Sequence, residues 1–339
     1  MSGHRGYQRE ADHCCRLDGG AVQCQLCPHR CRVAAGKTGL CRARVNEGGR
    51  LYAANYGQIT SCALDPIEKK PLYHFYPGSY ILSYGTWGCN LRCVFCQNWT
   101  IAHGDPPVEE ITPRRAVDIA LEAGGRGGSN LGIAYTYSEP LVWFEFVYDT
   151  ARLARRQGLK NVLVTNGYVN EEPLAELLPY VDAMNIDVKS FSNDYYRVMC
   201  RGSLEPVLKT VELASRHCHV EVTTLLVTGK NDSAEEISRL VDWLAALDPE
   251  IPLHFSRYFP SFELDLPPTP LETLLMAKDI ASQKLSYVYL GNVPQLDTGS
   301  TYCPDCGEEL ISRVGYCARL AGLKDGKCPR CGRKIRVVY

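Results

Sequence analysis

The chain has 339 residues, 45% hydrophobic, 22% charged and 9% aromatic, with 29 Gly, 20 Pro and a formal net charge of −1. These values exclude a disordered, collagenous or coiled-coil chain and remove the usual electrostatic case for nonspecific nucleic-acid binding. The length fits two domains or one large α/β unit with appendages.

No apolar run approaches the roughly 18 residues of a membrane span, and the opening MSGHRGYQRE lacks an apolar signal core. A cytoplasmic protein with no membrane contact is expected. Cysteine stands out, with 17 copies. In a reducing compartment, clustered cysteines are metal ligands more often than crosslinks. Four fall at Cys24, Cys27, Cys31 and Cys41, three at Cys89, Cys93 and Cys96, and four at Cys303, Cys306, Cys328 and Cys331. Cys14, Cys15, Cys62, Cys200, Cys218 and Cys317 lie outside these groups. The clusters divide the chain into a Cys-rich metal-binding region (1–78), a central domain (79–296) and a C-terminal lobe (297–339).

The first region carries Arg30, Arg32, Lys37, Arg42, Arg44 and Arg50 against the single acid Glu47 between Cys24 and Arg50. Either it is a solvated metal-folded lobe, or it presents a positive rim to an anionic substrate or partner. Cys24-x2-Cys27-x3-Cys31-x9-Cys41 offers four thiolates, and Gly36 and Gly39 allow the turns that wrapping requires. Zinc and a second [4Fe-4S] cluster fit this spacing equally.

The central domain alternates β-like apolar runs with amphipathic helices, the mark of βα units around a parallel sheet. Strands are predicted over 81–87, 131–136, 161–165, 183–188, 220–227, 252–256 and 287–290. One helix begins at Thr112, with Pro113 in its first helical position, and stops at Gly124. Another runs from about Pro140 to Gln157 and ends at Gly158. A third starts at Ser233 with Glu236 three residues on, a capping-box pattern. About seven strands fit a partial or complete β/α barrel, with ligands at the carboxyl ends of the strands.

Gly88-Cys89-Asn90-Leu91-Arg92-Cys93-Val94-Phe95-Cys96-Gln97-Asn98 follows the first predicted strand. Three thiolates at this spacing reach three corners of a cubane cluster, and no fourth cysteine follows as in an electron-transfer ferredoxin. The remaining iron is then open to a substrate or cofactor. Zinc held by these thiols and a distant fourth ligand is the alternative. In the C-terminal lobe, Cys303-x2-Cys306-x21-Cys328-x2-Cys331 reads as a zinc ribbon, with a rubredoxin-like iron as the other reading. Ribbons can grip RNA, and Arg313, Arg319, Lys324, Lys327, Arg330, Arg333, Lys334 and Arg336 supply charge diluted by Asp305, Glu308, Glu309 and Asp325.

Cys-x3-Cys-x-aromatic-Cys at the top of a first barrel strand resembles the radical S-adenosylmethionine (SAM) superfamily. The resemblance implies an α/β fold, the radical SAM partial (β/α) barrel, and a [4Fe-4S] cluster on Cys89, Cys93 and Cys96 whose open iron chelates SAM. It implies reductive cleavage of SAM to methionine and a 5′-deoxyadenosyl radical that abstracts hydrogen from an unactivated carbon. Phe95 belongs to the same cofactor-binding loop. Tyr135-Thr136-Tyr137-Ser138-Glu139-Pro140 resembles the Gly-Gly-Glu-Pro motif that holds the SAM ammonium, which makes Tyr137, Ser138 and Glu139 cofactor candidates. Val164-Thr165-Asn166-Gly167 is similar to the Asp-Thr-Asn-Gly segment of pyruvate formate-lyase activating enzymes, with Val164 at the first Asp position. Thr165, Asn166, Asp187 and Lys189 are therefore SAM- or substrate-facing candidates. Thr224 and His254 resemble adenine and ribose contacts of the same enzymes.

Asp65-Pro66-Ile67-Glu68-Lys69-Lys70-Pro71-Leu72-Tyr73-His74-Phe75, with CQLCPHRC, GCNLRCVFCQNW, AYTYSEP and RGSLEPV, resembles the radical SAM enzyme of the AmmeMemoRadiSam system. That resemblance implies Memo-like and AMMECR-type proteins as partners, besides an external electron donor of the flavodoxin or ferredoxin kind. Glu68, Lys69, Lys70 and His74 form either a salt-bridged loop or a lip for an anionic substrate. Cys200, His254 and Lys189 are the candidates for catalysis, with a buried spectator role as the other reading of Cys200. The expected function is modification of RNA or an anionic metabolite. The alternatives are activation of a partner protein and a noncatalytic electron-transfer or zinc scaffold.

Overall fold

The computed structural model describes residues 9–125, 130–294, 296, 298–323 and 325–339. Lys324, the boundary residue Asp297 and most of the opening segment read for a signal core lie outside the described residues.

The centre is an eight-stranded sheet: β1 (Ser61–Pro66), β2 (Tyr80–Gly85), β3 (Asn130–Tyr135), β4 (Lys160–Thr165), β5 (Ala183–Asp187), β6 (His219–Leu226), β7 (Leu253–Arg257) and β8 (Val288–Gly291). Strands β2 to β8 lie side by side in chain order, all parallel. Helices α1 (Pro113–Gly125), α2 (Phe144–Arg156), α3 (Glu171–Leu177), α4 (Glu205–Ser215), α5 (Ala234–Leu247) and α6 (Leu271–Ser282) fill the successive crossovers. Among the described residues no ladder joins β8 to β1, so this is an open, partial barrel. Fully buried residues such as Ile133, Leu163, Ile186 and Val222 explain the nearly continuous apolar runs of its strands. Each contributes about 1.5–3 kcal/mol of transfer free energy.

All seven predicted strands form, within two residues of the predicted bounds. The eighth, β1, runs antiparallel to β2, pairing Ser61 with Gly85 through Pro66 with Tyr80. Its first four residues are exposed, so no alternating pattern marks it in the sequence. The helix predicted from Pro140 is a 3-10 turn over Pro140–Trp143 followed by α2. At the predicted capping box, Ser233 Oγ accepts from Glu236 N at 3.2 Å. The reciprocal arm is redirected: the Glu236 carboxylate accepts from Ser190 Oγ and from Phe191 N, tying α5 to the loop after β5. Gly132 is required by close approach, since a Cβ there would stand 2.0 Å from Lys160 O on β4.

The N-terminal region forms two small three-stranded sheets. The C-terminal lobe is a three-stranded antiparallel sheet over Thr301–Tyr302, Glu309–Val314 and Cys317–Leu320. Three of its basic residues reach partners outside the lobe. Arg313 is buried and donates to Thr301 Oγ1, Gly299 O and Tyr73 O. Arg333 bridges to Glu250 at 2.9 Å and Arg336 pairs with Asp248, both on the loop before β7. Those three contacts tie the lobe to the rest of the chain; Arg313 is enclosed, whereas Arg336 keeps 45% of its side chain exposed. Among the described residues no helix is long and apolar enough to cross a membrane.

Candidate active site

The loop after β2 begins at Gly88, which has φ +89°, and a Cβ there would sit 2.7 Å from Cys41 O. Glycine thus lets the N-terminal lobe touch this loop. Arg92 N donates to Cys200 O at 2.8 Å, Val94 N to Met199 O at 2.9 Å and Ser261 Oγ to Cys96 O at 3.0 Å. So held, Cys89, Cys93 and Cys96 line one cleft of about 270 Å³ at the carboxyl ends of the strands. Burial pushes the Cys89 thiol well up, and that of Cys96 to about 11. Cys93 is raised by a hydrogen bond with Cys200 and by burial. Proton release from these thiols is therefore coupled to metal binding.

Phe95, Tyr137, Ser138, Glu139, Thr165, Asn166, Asp187 and Lys189 line the same cleft. Glu139, at the tip of β3, is 1% exposed. Its carboxylate accepts from Leu141 N at 2.9 Å, Thr165 Oγ1 at 2.6 Å and Asn166 N at 2.8 Å. Three of about four acceptor positions are filled, which leaves one for a cation in the cleft. Burial raises its pKa to about 7. Asn166 Nδ2 donates to Cys89 Sγ at 3.6 Å and to Asn90 Oδ1 at 3.0 Å, so β4 orients the cysteine loop. Lys189 Nζ lies 2.7 Å from Asp187 Oδ2. Burial opposes the lysine's charge, but Asp187 and the Cys93 thiolate outweigh it and hold the ammonium above its ordinary range.

Three candidates lie off the cleft. Thr224 turns away, donating to Val188 O at 2.8 Å, while its neighbours Thr223 and Leu225 line the cleft. His254 sits below the cleft, bonded to buried Glu221 at 2.6 Å and edge-on to Tyr73, while Ser256, two residues on, reaches the lining. Period-2 alternation along β6 is the signal that sets Thr223 and Leu225 apart from Thr224. Cys200 is fully buried behind Cys93 and absent from the cleft wall. Of the expected lip, Lys69 alone lines the cleft. Lys70 is buried on Asp65, Glu68 accepts from Gly78 N, and His74 is enclosed beside Tyr289.

The outer clusters differ in geometry. Cys303, Cys306, Cys328 and Cys331 bring all four sulfurs within 4.8 Å of one another, with two S···S distances of 3.5 Å. Zn–S bonds of about 2.3 Å give a tetrahedral S···S separation near 3.8 Å, so this quartet fits a single ion. Cys24, Cys27, Cys31 and Cys41 instead surround a cavity shared with Leu26, Leu40, Arg44 and Val142.

Three convergent thiols, with no fourth cysteine in the cleft lining and a partly satisfied carboxylate opposite, fit a cubane cluster with SAM on its open iron. The family model of the Radical SAM superfamily matches residues 84–244. An uncharacterized protein of Methanocaldococcus jannaschii is 45% identical over 339 residues, covering 97% of this chain and 99% of its own. The pyruvate formate-lyase 1-activating enzyme of Escherichia coli K12 is 26% identical over 159 residues, which span 45% of this chain and 63% of that enzyme. Streptococcus suis SuiB bound to S-adenosylmethionine superposes with a TM-score of 0.51 at 13% identity over 62% of this chain and 52% of that one, a likeness of fold. With the family model running from within β2 into α5 and the cysteine loop seated at the strand ends, residues 84–244 form a radical SAM superfamily domain.

Proposed function

We propose that this protein cleaves SAM reductively and uses the resulting 5′-deoxyadenosyl radical to modify an anionic metabolite or RNA. The observation that carries the reading is the convergence of Cys89, Cys93 and Cys96 with Glu139 and Asn166 in one cleft. Bound to the three thiolates, a [4Fe-4S] cluster supplies the open iron for SAM and the electron that breaks its sulfonium bond. Glu139 offers its remaining acceptor to the SAM ammonium. Asn166 fixes Cys89, and the Asp187–Lys189 pair presents a donor and an acceptor to the nucleoside or substrate. Leu91, Phe95, Val164 and Leu225 give the cleft apolar walls that keep water from a reactive carbon radical.

On the substrate side, Lys69 offers a cation. Trp99, 42% exposed beside the mouth, stacks on Phe262 at 5.5 Å, and Arg92 lies over the Phe262 ring. Planar, anionic groups suit that combination. Activation of a partner protein is the second reading, favoured by the likeness to pyruvate formate-lyase activating enzymes. Memo-like and AMMECR-type proteins and a flavodoxin- or ferredoxin-type donor are the proposed partners, with zinc in the C-terminal quartet. Anaerobic reconstitution with SAM and dithionite should yield methionine and 5′-deoxyadenosine, and Cys93→Ala should abolish both. Added RNA, metabolite and protein fractions then compete for stimulation of that yield. A cluster-loaded protein that binds no SAM overturns the reading.

A further inference from the structure

The N-terminal cysteines are spread more widely than a single ion needs. The C-terminal quartet brings all four sulfurs within 4.8 Å of one another, close enough for one ion. Cys24, Cys27, Cys31 and Cys41 instead line one pocket with Leu26, Leu40 and Val142, and among the described residues no three of their sulfurs gather within 4.8 Å of one another.

Arg44 lines the same cavity and is 1% exposed. Its Nη1 reaches both Glu145 oxygens, at 2.7 and 2.8 Å, and Nη2 reaches Val142 O at 3.3 Å. Its Nε is closed to solvent and has no hydrogen-bond partner among the described residues. An unsatisfied buried donor costs about 1–3 kcal/mol, more on a charged group, so a donor left this way beside four thiols calls for an acceptor. Inorganic sulfide and cysteinyl sulfur are such acceptors, and N–H···S bonds of this kind set cluster potentials.

The cavity also adjoins the active site. Asn90 is part of its wall, and His29 Nε2, two residues after Cys27, lies 2.7 Å from Asn90 O. Asn90 neighbours Cys89 in the chain, and Asn166 bridges the Asn90 side chain to the Cys89 sulfur.

We propose that Cys24, Cys27, Cys31 and Cys41 hold a second, fully protein-ligated [4Fe-4S] cluster. Arg44 Nε donates a hydrogen bond to it, and it relays single electrons to the active-site cluster through the Asn90 contact. An external low-potential one-electron carrier loses one electron to this cluster, which passes that electron on; no atoms move and no bond is made or broken. The relay rests on the proposed function, but the cluster itself does not.

The test begins with the full chain carrying Cys89→Ala, Cys93→Ala and Cys96→Ala, reconstituted anaerobically. About four irons and four labile sulfides should remain, with a cubane EPR signal after dithionite reduction. Absence of sulfide, with zinc at both outer quartets, overturns the cluster. Should that variant fold poorly, the unsubstituted protein answers the same question. Two reduced cubane signals are expected, one shifted by SAM and one not, and a single signal wholly shifted by SAM refutes the proposal. Arg44→Lys should lower the midpoint potential of the SAM-insensitive signal, and an unchanged potential refutes the Nε–H···S bond. The same variant should lose several-fold more flavodoxin-driven than dithionite-driven 5′-deoxyadenosine formation, and equal losses refute the relay. Failure of unsubstituted protein to form 5′-deoxyadenosine with either reductant would remove the relay and the functional reading together, while the metal and sulfide counts would still decide the cluster.

Discussion

Thr165 Oγ1 donates to Glu139 Oε1 at 2.6 Å, joining the tips of β4 and β3 across the floor of the cleft. The carboxylate this bond orients has its pKa raised from 4.5 to about 7 by burial. A folded-state pKa above the unfolded one means that the native protein binds more protons in that window. The group's contribution to stability is complete below about pH 4.5 and lost as pH rises through about 7. A cationic ligand favours the ionised form, so SAM binding should tighten as pH rises through about 7 and then level off. Glu139→Gln should flatten that rise, while titration of the SAM amine is common to both proteins. Equilibrium binding from pH 6 to 8.5 checks this, and an equal slope in the variant refutes the assignment.

Arg44 and Glu145, 101 residues apart in sequence, form a buried ion pair between the N-terminal lobe and α2. Glu145 also accepts from Asp12 N at 2.9 Å. Removing one member of such a pair strands the other charge out of water, which costs about 3–5 kcal/mol. Glu145→Ala should lower unfolding stability by that amount in denaturant titration. A loss below about 1 kcal/mol, the range of an exposed pair, would contradict the burial.

Cys200 shares a hydrogen bond with Cys93 and stands outside the cleft wall. In the metal-free chain this bond keeps the proton on Cys93, but once Cys93 is a metal-bound thiolate only the Cys200 S–H can donate, and it would then stabilise the reduced, more negative cluster. Cys200→Ala should retain full iron and shift the SAM-sensitive cluster to a more negative potential in an EPR-monitored titration. Loss of iron instead would make Cys200 a ligand.

Much of this arrangement is legible in the sequence because parallel strands buried on both faces leave apolar runs, and each β-strand tip carries its motif next in the chain. The cysteine loop after β2 and Glu139 after β3 were placed in that way. What fails is depth along a strand. His254 and Ser256 share one face of β7, yet only Ser256 reaches the cleft, while His254 serves Glu221 one layer below. Register with neighbouring strands fixes that layer, and one strand's sequence does not contain it. Long-range pairs are hidden for a related reason. Arg44 reads as one of several surface cations until Glu145 arrives from a distant helix, and His74 reads as a polar lip until the C-terminal lobe closes over it.

That closure predicts acid sensitivity. His74 Nδ1 lies 3.0 Å from Arg336 O, an acceptor, so Nδ1 carries the proton and Nε2 accepts from the Tyr289 hydroxyl at 2.7 Å. Burial lowers its pKa from 6.5 to about 3, although Glu221 pulls the other way. The unfolded state therefore binds more protons between those values, and docking stability falls as pH drops below about 6.5 toward about 3. The C-terminal lobe, whose Arg313 and Arg336 both meet this region, should become more open to limited proteolysis at pH 5 than at pH 7.5. His74→Gln, which retains a donor and an acceptor without titrating, should reduce that difference. The same pH-dependent cleavage in both proteins would assign the sensitivity to another group.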